Sequence, residues 1–241
     1  MNIDKRKWLN IDIANINFFE LAKAILPKCE YQIRCFELNK VMDILKIKDE
    51  FLIHELLVPR FYYCTKVEEK DILNNAWDAN KKYNDGSMPY GLYFPYLSIG
   101  DSFRKILNLK NESIDKLLVP YYTEEDGSYI FSKQMLYRTV FIILHEFGHY
   151  VSFKHFQSKK DYVLFVYKSK ENYMKYCNSA KNGEINPCSA TQNDLYRNAA
   201  DEHEADLYAL ENLDLYINKA LSWITKNSNS LSGHGKKYNK R

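Results

Sequence analysis

The stretch Phe141-Ile-Ile-Leu-His-Glu-Phe-Gly-His149 places two histidines four residues apart, with a glutamate directly after the first. On a helix, this spacing puts His145 and His149 on one face, one turn apart, where both can bind a single metal ion. Glu146 then lies beside the first histidine, in position to take a proton from a metal-bound water. The pattern predicts a helix that carries two metal ligands and a general base.

The predicted motif helix begins with Ser132 as its N-cap and ends near Phe153. Apolar residues cover nearly its whole circumference, so we expect the helix to be buried. Two histidines and a glutamate on a buried helix need hydrogen-bond partners or a metal. For this helix alone, both explanations stay open.

A second predicted helix, Thr191–Leu213, contains the sequence Asp201-Glu-His-Glu-Ala-Asp206. Glu202 and Asp206 fall in the middle of its apolar stripe, which consists of Leu195, Ala199, Ala209, Leu210 and Leu213. The remaining acids are predicted to point to solvent: Asp194, Asp201, Glu204, Glu211 and Asp214. Two carboxylates on a core-facing stripe require a cation or strong donors.

Glu202 is therefore predicted to be the third metal ligand. Asp206 is predicted to accept a hydrogen bond from the outward ring nitrogen of a ligand histidine, which we expect to be His145. Two histidines, one glutamate and a water form an open tetrahedral site that suits zinc and catalysis. A rival third ligand is His155, six residues after His149 as in HExxHxxGxxH sequences, but Ser152 stands where that pattern has its turn glycine.

Together the two motifs, His145-Glu-Phe-Gly-His149 and Glu202-His-Glu-Ala-Asp206, resemble the HExxH…ExxAD signature of gluzincin metallopeptidases. The fifty-three residues from His149 to Glu202 exceed the thermolysin separation and are nearer that of HtpX-like membrane proteases. The paired motif also resembles that of soluble ImmA/IrrE-like and Lit-like peptidases. The resemblance covers 132–213. It implies His145, His149 and Glu202 as zinc ligands, Glu146 as general base and Asp206 as their support. The resemblance does not assign the histidine or tyrosine that usually stabilises the tetrahedral intermediate, and that part of the mechanism stays open.

The predicted fold class is α+β: a zincin-like metallopeptidase domain with a small sheet packed on the motif helix, plus a mainly helical N-terminal region. The predicted division is a scaffold or substrate-selection region at 1–83, the metallopeptidase domain at 84–226 and a flexible basic tail at 227–241. The smaller elements are predicted as helices at Ile16–Leu26, Asn39–Ile47 and Val67–Tyr83, a strand at Tyr31–Leu38, turns and short strands at 84–100, and a hairpin formed by Leu117–Tyr122 and Ser128–Phe131.

Composition narrows the class of protein. A net charge of +3 is too small to imply a specific nucleic-acid partner, and the longest apolar runs are too short to span a bilayer. We expect a cytoplasmic protein whose five scattered cysteines are reduced thiols, although a disulfide or a second metal site stays possible. His54 and His234 stand alone and are not expected to be ligands. The sequence leaves the oligomeric state open.

The predicted function is zinc-dependent hydrolysis of a peptide bond in a protein or peptide substrate. Zinc would polarise the scissile carbonyl and lower the pKa of a bound water, while Glu146 would move that water's proton to the leaving amine. An alternative is a catalytically silent or regulatory zinc protein that acts by recognising a partner. A coincidental motif without metal is the third reading.

Overall fold

The computed structural model describes residues 12–27, 33–36, 58–62, 91–105, 112–121 and 127–231. The described chain is mostly helical, as the bounds of its elements show. The α-helices are α1 Phe18–Ile25, α2 Ile99–Lys105, α3 Glu112–Leu118, α4 Gly127–Lys154, α5 Lys159–Ser169, α6 Glu171–Lys181, α7 Ser189–Arg197 and α8 Ala200–Leu231. The strands are β1 Ile33–Phe36, β2 Arg60–Tyr62 and β3 Gly91–Pro95, and single 3-10 turns cover Ile13–Asn15 and Val119–Tyr121.

The strands form a small sheet in the order β1-β3-β2. β2 and β3 are antiparallel, with Arg60 opposite Tyr93, Phe61 opposite Leu92 and Tyr62 opposite Gly91. All five residues of β3 are buried.

The chain divides into two compact units, both discontinuous in sequence. The first comprises Met1–Val58, Phe94–Ile143 and Glu211–Arg241, and the second comprises Pro59–Tyr93 and Leu144–Leu210. The predicted division at residues 83 and 226 stays a prediction.

In the first unit, α1 is an amphipathic helix with a side-chain cap. The Asn17 side chain accepts a hydrogen bond from the Glu20 backbone N–H at 3.1 Å, which satisfies one of the free donors of the first turn. The Phe18 ring stacks on Phe94 with 5.9 Å between centroids. The buried face of α1 consists of Phe18, Leu21, Ala22 and Ile25.

In the second unit, strand β2 contacts the end of α4, the helix that carries His145 and His149. The Phe61 ring lies 5.8 Å from the Tyr150 ring and 5.7 Å from the Phe153 ring, measured between centroids. A strand of the small sheet therefore packs on the motif helix.

Helices α4 and α8 approach closely within the second unit, at Gly148 and Ala205. A Cβ added to Gly148 would lie 3.0 Å from the Ala205 Cα and 3.1 Å from its carbonyl oxygen, closer than side-chain carbons ordinarily come. One turn along, the Ser152 hydroxyl donates to a Glu204 carboxylate oxygen at 2.8 Å. These contacts fix the motif-bearing face of α4 against the first turns of α8.

Several predicted elements are confirmed. α1 falls within Ile16–Leu26, β1 within Tyr31–Leu38 and β3 within 84–100, and α4 ends one residue beyond the predicted Phe153. The predicted helices Asn39–Ile47 and Val67–Tyr83 lie outside the described residues, as do His54 and the tail beyond 231.

Three predictions of local structure are wrong. α4 begins at Gly127 and not after Ser132, and it includes Ser128–Phe131. The predicted hairpin is therefore absent, since Leu117 also lies in a helix, α3. The predicted helix Thr191–Leu213 is two helices, because Asn198 and Ala199 separate α7 from α8.

Two further features bear on the class of protein. Among the helices of the described ranges, none combines the length and apolar character that crossing a bilayer requires. Cys177 and Cys188 are free thiols, as expected for them; the side chains of the other three cysteines lie outside the described part of the structure.

Candidate metal centre

The second unit brings together His145, His149 and Glu202, the three residues predicted as ligands. The two histidine Nε2 atoms are 3.2 Å apart. Glu202 Oε2 lies 3.2 Å from His145 Nε2 and 3.8 Å from His149 Nε2. Ligand bonds of zinc imply about 3.3 Å between donor atoms at the corners of a tetrahedron. The three donor atoms therefore already stand near the spacing that one tetrahedral ion requires.

Glu202 Oε2 supports a cation at this point. The Glu202 side chain is buried, and in the described part of the chain this oxygen accepts no hydrogen bond. A buried carboxylate oxygen without a hydrogen-bond donor is costly, and a cation bound between Oε2 and the two Nε2 atoms would satisfy it. The donor set of two imidazoles and one carboxylate suits zinc, and the residues present fit the ion that the sequence predicts.

The surroundings of the two histidines shift their pKa values in opposite directions. Burial disfavours the charged form of His145, but the carboxylates of Asp206 and Glu202 outweigh it and raise the pKa of His145 to about 10. Burial, assisted by the positive charge of His145, lowers the pKa of His149 to about 3. Asp206 lies at Nδ1 and Glu202 Oε2 lies 3.2 Å from Nε2, so the His145 ring faces a carboxylate at both nitrogens.

Asp206 orients His145 from the other side of the ring. His145 Nδ1 donates to Asp206 Oδ1 at 2.8 Å, the contact that the helical spacing of Glu202 and Asp206 predicts. Arg197, at the end of α7, donates to the same oxygen at 2.9 Å. Asp206 thus fixes the ring with Nε2 turned toward the other two donor atoms.

Glu202 is held by a buried lysine, Lys170, that no sequence motif indicates. Lys170 Nζ donates to Glu202 Oε1 at 2.6 Å and forms an ion pair with Asp201 Oδ2 at 2.9 Å. Asp201 also accepts a hydrogen bond from the Ser169 hydroxyl at 2.5 Å. Burial opposes ionisation of Glu202, but Lys170 and the histidines outweigh it and hold the pKa of Glu202 well below its usual range.

Glu146 lies beside the cluster and is partly accessible. Its Oε2 accepts a hydrogen bond from the backbone N–H of Phe61 at 2.7 Å, which fixes the carboxylate against strand β2. Burial raises the pKa of Glu146 to about 7, against the opposing charges of His145 and Arg60. A carboxylate with a pKa near 7 is suited to exchange protons at neutral pH.

No family model, curated protein or solved structure matches this chain. The site therefore rests on its motifs and on the geometry of its side chains.

The structure brings His145, His149 and Glu202 together, with Asp206 and Glu146 beside them, but the surroundings of the cluster differ from those predicted. Asp201, predicted to face solvent, is buried and paired with Lys170. The rival ligand His155 is exposed, beyond the end of α4, and is not part of the cluster. No spacing links Lys170 to residues 201 and 202, so only the burial of two adjacent acids would have indicated a cation there.

Proposed function

We propose that this protein is a zinc-dependent, cytoplasmic endopeptidase that hydrolyses a peptide bond in a protein or peptide substrate. The observation that carries the proposal is the spacing of His145 Nε2, His149 Nε2 and Glu202 Oε2, with a glutamate next to the first histidine. The likeness of the paired motifs to HExxH…ExxAD gluzincins supports the same conclusion. So does the contact of β2 with the motif helix, which fits a zincin-like domain.

In this proposal His145, His149 and Glu202 hold the ion. Bound zinc supplies a Lewis acid that polarises a carbonyl and makes a water more acidic. Glu146 receives a proton on its carboxylate and transfers it to the leaving amine. The Phe61 N–H, bonded to Glu146 Oε2, leaves Oε1 as the oxygen that carries the proton.

Accessibility supports a hydrolytic role for the same residues. His145 and Glu202 are buried, whereas Glu146 and His149 are partly accessible. Two of the three proposed ligands are thus enclosed, while the proposed base and His149 keep some exposure to solvent. A purely structural metal site is typically closed on all sides.

The test is a comparison of the unaltered protein with Glu146→Gln. Both are loaded with zinc and incubated with a peptide library prepared from a proteome digest, and new termini are identified by mass spectrometry. We expect the variant to retain about one zinc per chain and to lose hydrolysis by a factor of at least about 100, because the amide cannot accept the proton. The matched control is Glu211→Gln, which makes the same change at an exposed residue of α8.

Equal cleavage by Glu146→Gln and the unaltered protein would contradict the proposal. A protein that binds zinc, releases it to a chelator and cleaves no peptide would instead favour a regulatory zinc protein. A protein purified without metal that takes up none would favour a coincidental motif.

A further inference from the structure

We propose that Lys170 is a positioning residue that restricts Glu202 to one-oxygen coordination of the metal. The inference rests on the metal binding of the proposed function and adds a residue to it. It concerns how the ligand carboxylate is presented, so it can be tested without a substrate.

Lys170 occupies a corner of the fold. It is both the C-cap residue of α5 and the N-cap residue of α6, with φ −94° and ψ 7°. Its side chain is buried, with Nζ 4.9 Å from the centroid of the Tyr196 ring. A lysine with a long flexible stem seldom adopts such a position unless paired, so its two carboxylate partners define its orientation.

Lys170 gives the two oxygens of the Glu202 carboxylate different roles. Oε1 accepts the short 2.6 Å hydrogen bond from the ammonium, while Oε2 stands 3.2 Å from His145 Nε2 and accepts no hydrogen bond among the described residues. Rotation of the carboxylate toward a chelating position would break the contact with Lys170. The ammonium therefore leaves Oε2 as the one oxygen free to coordinate.

Asp201 keeps the charge of Lys170 from cancelling that of Glu202. The Asp201 carboxylate pairs with the same ammonium at 2.9 Å and is itself fixed by the Ser169 hydroxyl. One lysine and one aspartate are then neutral as a pair, and the negative charge of Glu202 stays available to a cation. Residues 169, 170 and 201 thus act as a single support for one ligand.

One-oxygen coordination matters because it preserves a free coordination position. With two imidazoles and one carboxylate oxygen, a fourth position of a tetrahedral ion stays open for water. A chelating carboxylate would add a second oxygen and raise the coordination number. Lys170 thereby keeps the site in the open form that hydrolysis requires.

The experiment compares the Co²⁺ forms of the unaltered protein, Asp201→Asn and the double variant Lys170→Met/Asp201→Asn. The double variant removes both charges of the pair, which avoids leaving an unpaired buried aspartate. We expect Asp201→Asn to retain the intense visible absorption of four-coordinate Co²⁺. In the double variant we expect that absorption to fall about threefold as the carboxylate chelates and the coordination number rises.

Lys168→Met, an exposed substitution two residues away, is the control and should leave the spectrum unchanged. An unchanged spectrum in the double variant would overturn the proposed role of Lys170 and leave the proposed function standing. Failure of the unaltered protein to bind Co²⁺ or Zn²⁺ would overturn the proposed function and this inference with it. Should the double variant not fold, X-ray absorption of the unaltered zinc protein decides through the distance from zinc to the Glu202 carboxylate carbon. The longer distance of one-oxygen coordination supports the inference, and the shorter distance of a chelating carboxylate overturns it.

Discussion

At the residue scale, Asp206 combines two contacts on one oxygen. It accepts hydrogen bonds from His145 Nδ1 at 2.8 Å and from Arg197 at 2.9 Å. The first sets which ring nitrogen of His145 faces the other donor atoms, and the second anchors the carboxylate to the end of α7. A residue that does not itself reach the proposed ion thereby determines the direction of one ligand.

Asp206→Asn tests this role. The amide accepts more weakly from His145, so we expect the affinity for zinc to fall about 10- to 100-fold while the stoichiometry stays at one per chain. The measurement is competition with a fluorescent zinc indicator of known affinity. Asp194→Asn, an exposed change on α7, serves as the control; an affinity in Asp206→Asn equal to that of the control would refute the role.

The site residues that share a helix face could be predicted from helical periodicity, but Lys170, which pairs with Glu202, could not. His145, His149, Glu202 and Asp206 lie on two helices, where a spacing of four residues specifies a shared face. Lys170 is 32 residues away from Glu202 along the chain. The helical wheel placed Asp201 toward solvent because it contains no information about an ammonium delivered from another helix.

At the element scale, the site depends on how closely α4 and α8 approach. Gly148 lies between the two histidines in sequence, and Ala205 lies between Glu202 and Asp206. The 3.0 Å separation that a Cβ on Gly148 would have from the Ala205 Cα involves backbone, which cannot rotate aside. The contact between the helices therefore sets the distance between the two halves of the cluster.

Gly148→Ala should consequently destabilise the protein. In an unobstructed helix the same change would stabilise by about 0.5–1 kcal/mol, whereas overpacking costs about 1–3 kcal/mol. We expect the cost to prevail, with a lower midpoint of urea unfolding and weaker zinc binding, because the donor atoms move apart. Gly183→Ala is not a suitable control, because φ at Gly183 is +74°. Ala190→Gly, at an exposed position of α7, instead measures how much one methyl group changes the stability of a helix. A midpoint at or above that of the unaltered protein would contradict the prediction.

Elements were predictable where capping and periodicity agreed. α1 has an asparagine N-cap and a clear apolar face, and the structure forms it within the predicted bounds. The predicted strand Ser128–Phe131 contains Tyr129, Ile130 and Phe131, which favour strands as isolated residues. These residues instead extend the 28-residue α4, since adding a turn to an existing helix is easier than forming a new strand.

At the scale of the whole molecule, all the proposed ligands and their supports belong to one of the two units, Pro59–Tyr93 with Leu144–Leu210. Its described residues include buried contacts of His145 with Glu202 and Asp206, and of Lys170 with Asp201 and Glu202. An ion that binds only the folded state adds its binding free energy to the stability of that unit.

Removal of metal should therefore lower the thermal midpoint of unfolding. At a free zinc concentration 100-fold above the dissociation constant, linkage gives about 2.7 kcal/mol, and a chain of this size shifts about 2–4 °C per kcal/mol. We expect zinc to raise the midpoint by roughly 5–10 °C in scanning calorimetry and a chelator to reverse the change. Glu202→Gln should show little of this shift; a shift as large as that of the unaltered protein would exclude Glu202 as a ligand.

The hydrogen bond from Phe61 to Glu146 has a consequence for mutational tolerance. Because its donor belongs to the main chain, substitution of the Phe61 side chain alters packing against Tyr150 and Phe153 without removing the donor. Only proline lacks the N–H. The orientation of Glu146 is thus encoded by the path of the backbone at position 61, and the identity of the amino acid there is free to vary among apolar residues that fill the same space.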